Sequence, residues 1–337
     1  MKPIYRIKIK AQDLFDKYPS HWRNEYKNKI FDISCPENCS HRGELEITRW
    51  KARNISREIT LDTTPTEIIT HNGPFIYPSS TEPKSMTWHL NFADGDLFFH
   101  YGSSLMAQDE HQVAEHPILA SVKEMLEELA EENTDYVPCT RDYTHLEPNP
   151  PTPVLVMGAE RRLSIDLTSK TAQGGPAGLY GNLFREAPWI GIEKALSVIS
   201  PPTLSNIIAM EAPSGGKGVY TQEQIDDVFQ TAFTAFSAAK EESLKSSGED
   251  AKITINTGDW GTGAYGGNKT LMATLQLLAA AVTGVYRLNF YTTDSAAFGQ
   301  AQILVRQFVS SKETIEIHDI LNALLGMNFQ WGMSDGN

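Results

Sequence analysis

Cysteine is scarce in this chain: Cys35, Cys39 and Cys139 are the only three in 337 residues. Three thiols cannot form a paired disulfide framework, so a reducing, intracellular and cytoplasmic setting is expected. Long apolar runs are missing too. Stretches such as Leu275 to Val282 fall far short of the ~20 residues that span a bilayer. The basic start, Met1 to Pro19, has no apolar core before Asp13, so neither a secretory signal nor a membrane partner is expected. Positive charge is in short supply: 29 Lys plus Arg against 42 Asp plus Glu leave −13. That balance argues against an extended nucleic-acid footprint, but not against one local site for an anion. No repeat of fixed period is visible, which excludes a solenoid.

What is present is the make-up of a folded globular chain. Hydrophobic residues are 40% and charged residues 21%. The length fits about two domains, or one large domain with additions. Residues 1–85 read as an N-terminal extension. They hold short β-like runs (Leu45 to Trp50, Glu67 to Thr70, Pro74 to Tyr77) and end in a linker, Pro78 to Lys84. Within them CPENCSH groups Cys35, Cys39 and His41. The spacing matches no standard zinc pair and offers no fourth ligand, so the thiols read as free ones on a loop.

Residues 86–330 read as the main domain, in which strands and helices alternate. Short apolar strands are expected at Met86 to Phe92, Val154 to Gly158, Asn206 to Glu211, Lys252 to Thr257 and Tyr286 to Tyr291. Helical spacing of apolar residues predicts helices over His116 to Glu132, Glu223 to Lys245, Lys269 to Val282, Ala297 to Val309 and Thr314 to Leu325. Pro148 to Pro153 reads as a loop. Such alternation predicts a layered α/β fold with a partly parallel sheet.

The sharpest local feature is Thr257 to Gly267, TGDWGTGAYGG, between a strand and a helix. Gly261, Gly263, Gly266 and Gly267 let backbone approach an anion without Cβ clashes, and the following helix offers a positive dipole end. A diphosphate cradle is the expectation. Gly261, Gly263 and Gly266 also fit the dinucleotide fingerprint, which would suit a nucleotide-dependent oxidoreductase. Position disfavours that: too little chain follows, and Asp294 lies 28 residues past Gly266 rather than about 20.

The second feature is Leu90 to Pro117, with Gln108, Asp109 and Glu110 in a row. As structure alone, these acids are the solvated first turn of a helix. As chemistry, they offer a partly buried carboxyl tuned to act as acid and base, though the residue types alone favour the first reading.

Together the two features resemble the catalytic macrodomain of the poly(ADP-ribose) glycohydrolase family, over roughly residues 85–327. That family has a VDFAN segment, a triple-glycine loop and QEE; this chain has Leu90 to Asp94 (LNFAD), His100 to Ser104 (HYGSS) and Gln108-Asp109-Glu110. The family's later loop, TGNWGCGAFGG, is matched by TGDWGTGAYGG. The triple glycine is the main departure, since Gly102 alone remains; QDE for QEE shortens one carboxylate by a methylene.

The resemblance implies a three-layer α/β/α fold with a mixed central sheet. It implies removal of ADP-ribose from an ADP-ribosylated macromolecule by cleavage of the ribose glycosidic bond, in a monomer that needs no cofactor and no metal. Glu110 matches the catalytic glutamate and Asp109 its acidic neighbour. Asn91, Asp94 and Gln108 match polar groups beside the ligand. Gly261, Thr262, Gly263, Ala264, Tyr265, Gly266 and Gly267 match the loop around the diphosphate, with Tyr265 the aromatic over the distal ribose. The alternative is a macrodomain that binds ADP-ribose without cleaving it.

Other residues carry weaker expectations. Gly174 to Asn182 is a second glycine-rich loop, either shaping the pocket or plain surface. Lys217 reads as part of a solvated loop, His111 and His116 as helix-surface or cap residues. Glu211, at a strand end, faces a pocket or is a buried, bonded carboxylate.

Overall fold

The computed structural model describes residues 1–78, 84–143, 149–169 and 178–336. The expected linker Pro78 to Lys84, the loop Pro148 to Pro153 and the glycine-rich stretch Gly174 to Asn182 lie partly outside those residues.

The strands are β1 (Pro3–Lys10), β2 (Glu44–Trp50), β3 (Glu58–Thr60), β4 (Glu67–Asn72), β5 (Ser85–Ala93), β6 (Val154–Ile165), β7 (Leu196–Glu211), β8 (Lys252–Gly258), β9 (Arg287–Thr292) and β10 (Thr314–Glu316). The helices are α1 (Ala11–Lys17), α2 (Glu25–Ser34), α3 (Gln108–Glu115), α4 (Ile118–Ala130), α5 (Leu183–Glu186), α6 (Trp189–Ala195), α7 (Gln222–Ser247), α8 (Lys269–Thr283), α9 (Ser295–Val309) and α10 (Ile317–Gly326).

Eight strands form one sheet in the order β1-β2-β6-β7-β5-β8-β9-β4. The β1/β2, β2/β6 and β6/β7 pairs are antiparallel; the β7/β5, β5/β8, β8/β9 and β9/β4 pairs are parallel. The sheet is therefore mixed. The central parallel strands are buried on both faces, with polar residues such as His89, Asn91 and Asn256 buried among the apolar ones. On β7, Ile208 and Met210 point to one core, Ile207 and Ala209 to the other, and all four are fully buried. The first core is closed by α7, α8, α9 and α10, through residues such as Phe236, Leu275, Phe298 and Leu321. The second is closed by α1, α3 and α4, through Leu14, Val113, Ile118, Val122 and Leu126. Each such side chain contributes about 1.5–3 kcal/mol on burial. A third, smaller cluster joins α2, α5 and α6 to the end of β6. The layers are α/β/α.

Several elements differ from the sequence expectation. The helix expected over His116 to Glu132 is α4, which starts at Ile118, and a separate helix, α3, precedes it. Pro117 drives its predecessor out of the helical region, and His116 stands at φ −123°, ψ 68°. The helix expected from Thr314 begins instead with strand β10, whose Ile315 is buried where β10 pairs with β3. Pro74 to Tyr77 is not a strand. β6 and β7 run well beyond their apolar cores. β1, β2 and β4, all from the first 85 residues, belong to the same sheet as β5 to β9.

Candidate active site

In parallel β5, β7, β8 and β9 the carboxyl ends lie on one side of the sheet. Outside such ends, open α/β sheets leave the crevice in which ligands bind. A cavity of about 650 Å³ lies there, within the range of small-molecule sites. Its wall takes in Phe92 to Asp94 at the end of β5, Ala212 after β7, Gly258 to Tyr265 from the end of β8 and Tyr291 to Thr293 at the end of β9.

One wall is the start of α3, with Ala107 to His111. Gln108 clips this helix to β5: its Oε1 accepts from Phe92 N at 2.7 Å and its Nε2 donates to Leu90 O at 2.9 Å. At the other end Glu115 fixes α3 to β6, accepting from Arg161 Nε at 2.8 Å and from Ile165 N at 2.6 Å. Burial opposes charge on Glu115, yet His111 and Arg161 hold its carboxyl down at about 2. α3 is thus held rigidly, and its first-turn acids are buried rather than solvated: Asp109 is 7% exposed and Glu110 3%.

The two acids have different partners. Asp109 Oδ1 accepts from Asn91 Nδ2 at 2.9 Å. Burial first, and Glu110 beside it second, push the Asp109 carboxyl well above the usual carboxylate range. Glu110 Oε2 has no hydrogen-bond partner among the described residues. Lys27, fully buried on α2, donates to Tyr101 O at 2.8 Å and lies in the field of both acids. Burial lowers its ammonium to about 8, against the pull of Glu110 and Asp109. A neutral-leaning carboxyl, a second carboxyl with an unpaired oxygen and a cation behind them can move a proton to or from a bound group.

The opposite wall is the glycine loop. Gly261 to Tyr265 line the cavity; Gly266 and Gly267 do not. Gly261 sits at φ +73°, and a Cβ there would lie 2.5 Å from Ala212 Cβ and 2.9 Å from Met272 Cε. Its glycine is demanded by the fold. Gly263 differs: the nearest atom to a Cβ there is Asp335 Oδ2, at 3.1 Å. Asp259 follows β8, and burial raises its carboxyl although Thr292 Oγ1 donates to it at 3.0 Å. α8 begins behind the loop, where Asn268 caps it by accepting from Leu271 N. Asp94 ties the two walls together, its Oδ2 accepting from Tyr265 OH at 3.1 Å.

Other expected residues take different places. Asn91 is fully buried behind Asp109 and is not part of the wall. His111 and His116 are buried, not at the helix surface; burial first lowers His116 to about 4, and its Nε2 lies 2.9 Å from Ser205 Oγ. Glu211 accepts from Arg141 Nε at 2.8 Å and stays out of the cavity. Lys217 is exposed and does not line it. In HYGSS, His100 puts a side chain on the wall, while a Cβ on Gly102 would lie 2.6 Å from His21 O. Gly102 therefore serves the packing of the loop before α2.

Phe75 and Asp335 are among the contributors the sequence did not point to, and Tyr180 brings the second glycine-rich stretch to the wall, one of its two expected readings. Burial lifts the Tyr180 phenol to about 12. Asp335 arrives on a C-terminal strap. Trp331 stacks on Tyr220 at 4.2 Å, Gly332 N donates to Gly266 O at 2.8 Å, and Asp335 N to Gly263 O at 3.3 Å. No local sequence signal marks that strap.

Residues 200–300, from β7 into α9, match the family model described as poly(ADP-ribose) glycohydrolase (PARG), macro domain fold. No curated protein matches the chain. Among solved structures, the poly(ADP-ribose) glycohydrolase of Thermomonospora curvata is similar at 12% identity, over 90% of this chain and 85% of that one, with a TM-score of 0.42. That of Deinococcus radiodurans in complex with ADP-ribose is similar at 10% identity, over 90% and 93%, with a TM-score of 0.42. A macrodomain of Oceanobacillus iheyensis is similar at 12% identity, over 75% and 98%, with a TM-score of 0.40. The family similarity of this chain, to the macro domain fold of poly(ADP-ribose) glycohydrolase, thus rests on residues 200–300.

Proposed function

We propose that this chain hydrolyses the glycosidic bond that joins ADP-ribose to an acceptor. One observation carries the reading: Gln108 to Glu110 and Gly261 to Tyr265, distant in sequence, line one cavity. A ligand with a diphosphate at one end and a reactive sugar at the other meets backbone N–H groups on one wall and carboxyls on the other. ADP-ribose, the ligand named in the Deinococcus radiodurans complex, has that form.

In this reading Glu110 protonates the leaving group at the anomeric carbon. An oxocarbenium-like centre forms, and Glu110 then takes a proton from the attacking water. The unpartnered Oε2 is the atom that serves both steps. Asp109, oriented by Asn91, holds ribose hydroxyls. Tyr265 packs over the distal ribose, and the diphosphate fixes the sugar in place, so binding energy far from the bond lowers the barrier. His100 and Asp335 also line the cavity, and side chains there favour a single ADP-ribosyl unit over the interior of a polymer.

The test is a panel of ADP-ribosylated substrates (polymer, protein side chains, nucleic acid ends) scored for released ADP-ribose. The expected result is release from at least one. Glu110→Gln lowers that rate by about 10²–10⁴-fold and retains ADP-ribose binding by calorimetry. Release unaffected by that change sinks the assignment. Binding with no release from any substrate points to a reader of ADP-ribose instead.

A further inference from the structure

The turn between α2 and β2 lies apart from the cavity. It gathers Cys35, Cys39 and His41, whose ligand atoms all lie within 4.8 Å of one another. Both thiols are unpaired. His41 Nε2 is 4.0 Å from Cys35 Sγ and 3.8 Å from Cys39 Sγ. Those distances are long for a hydrogen bond. They are within about 0.5 Å of the about 3.5 Å expected between a thiolate and an imidazole bound to one tetrahedral zinc, given bonds near 2.3 and 2.0 Å. The imidazole is also held in place from the far side. Its Nδ1 lies 2.8 Å from Glu160 Oε2, and Phe15 packs on the ring at 4.2 Å between centroids. A carboxylate on the outer nitrogen of a histidine is the usual companion of metal ligation by the inner one. Arg162 pairs with Glu160 at 2.7 Å, so the carboxylate stays ionised without becoming a ligand itself.

We propose that Cys35, Cys39 and His41 form a zinc site. Binding displaces one proton from each thiol, and two thiolates neutralise the dication. The donor set, two sulfurs and one imidazole, selects a borderline-soft ion over magnesium or calcium. Three protein ligands leave a fourth position, filled by water on the side where Cys39 is partly exposed. The site clips the C-terminal end of α2 to β6 through Glu160. It does so without any part in the proposed hydrolysis, and its test does not depend on that activity.

The full chain, purified without chelator and incubated with zinc(II), is analysed for metal. About one zinc per chain is expected, lost in Cys39→Ser and in His41→Gln. Glu160→Gln weakens zinc binding about 10–100-fold. Cobalt(II) substitution gives a thiolate charge-transfer band and intense tetrahedral d–d bands, absent in Cys39→Ser. Should these variants fail to fold, the wild-type chain still decides the matter: zinc protects Cys35 and Cys39 from alkylation, and a chelator restores it. Sub-stoichiometric zinc with unchanged alkylation overturns the proposal. So does a chain two hydrogens lighter, with Cys35 and Cys39 joined and no metal bound.

Discussion

The two walls of the cavity are built by opposite means. The glycine wall is one unbroken stretch, from Gly258 at the end of β8 to Tyr265. The acid wall is assembled from separate pieces: the first turn of α3 and His100 line it, while Asn91 on β5 and Lys27 on α2 support it from behind. A continuous wall is written in consecutive residues. An assembled wall shows only its centre in sequence, and its electrostatics come from neighbours that topology delivers. Within the glycine wall a second contrast appears. Gly261 is required by Ala212 and Met272 behind it, whereas Gly263 meets only the Asp335 side chain at the cavity.

The largest effect expected from breaking this comparison is at Gly261. Gly261→Ala places a Cβ against Ala212 and Met272 at φ +73°, which costs about 2–5 kcal/mol in strain and overpacking; thermal unfolding reads it directly. Gly263→Ala, its counterpart, leaves stability within about 1 kcal/mol but weakens ADP-ribose binding in calorimetry. Equal losses of stability at the two positions would erase the distinction drawn between them.

On the acid wall the expected change has the opposite sign. Burial raises Asp109 in the folded chain, so folding favours its protonated form. The stability tied to that proton is full below the unfolded pKa and is lost as pH rises through the folded one. Asp109→Asn therefore stabilises the chain at neutral pH by on the order of 1 kcal/mol, and the gain vanishes in acid. A variant destabilised equally at both ends of the pH range would show that the Asn91 contact outweighs the buried charge. The smallest effect is at Asp335. Removing that carboxylate from the glycine loop in Asp335→Ala tightens ADP-ribose binding by about 1 kcal/mol at low salt. Added salt shrinks the gain.

Much of the sheet's parallel half was legible because its strands are short, β-branched and apolar, and because α7 and α8 keep strict helical spacing. The glycine loop was legible as residue types in a strand-to-helix setting. β1 was missed, although Ile7 and Ile9 alternate with Arg6, Lys8 and Lys10 at strand period; weighing those residues only against a secretory signal hid the alternation. The boundary at Pro117 was legible to within two residues, since the expected helix starts at His116 and α4 at Ile118. The burial of Asp109, the cation Lys27 and the carboxylate of Asp335 were not legible. Each depends on contacts between segments far apart in the chain, and no local pattern encodes them.

The strap that brings Asp335 to the loop has a practical consequence. The carbonyl of Gly336 accepts from Asn182 Nδ2 at 2.6 Å, and Tyr180, two residues before Asn182, is part of the cavity wall. Any polypeptide attached beyond Gly336 therefore starts at the cavity mouth. A tether converts even a feeble ligand into one of high effective concentration, so a carboxy-terminal affinity tag or fused domain is already a competitor for the site. The amino terminus, whose ammonium pairs with Glu241 on α7 at 2.7 Å, offers the opposite point of attachment. Comparing the same tag at the two ends measures how far the mouth is screened before any substrate is added.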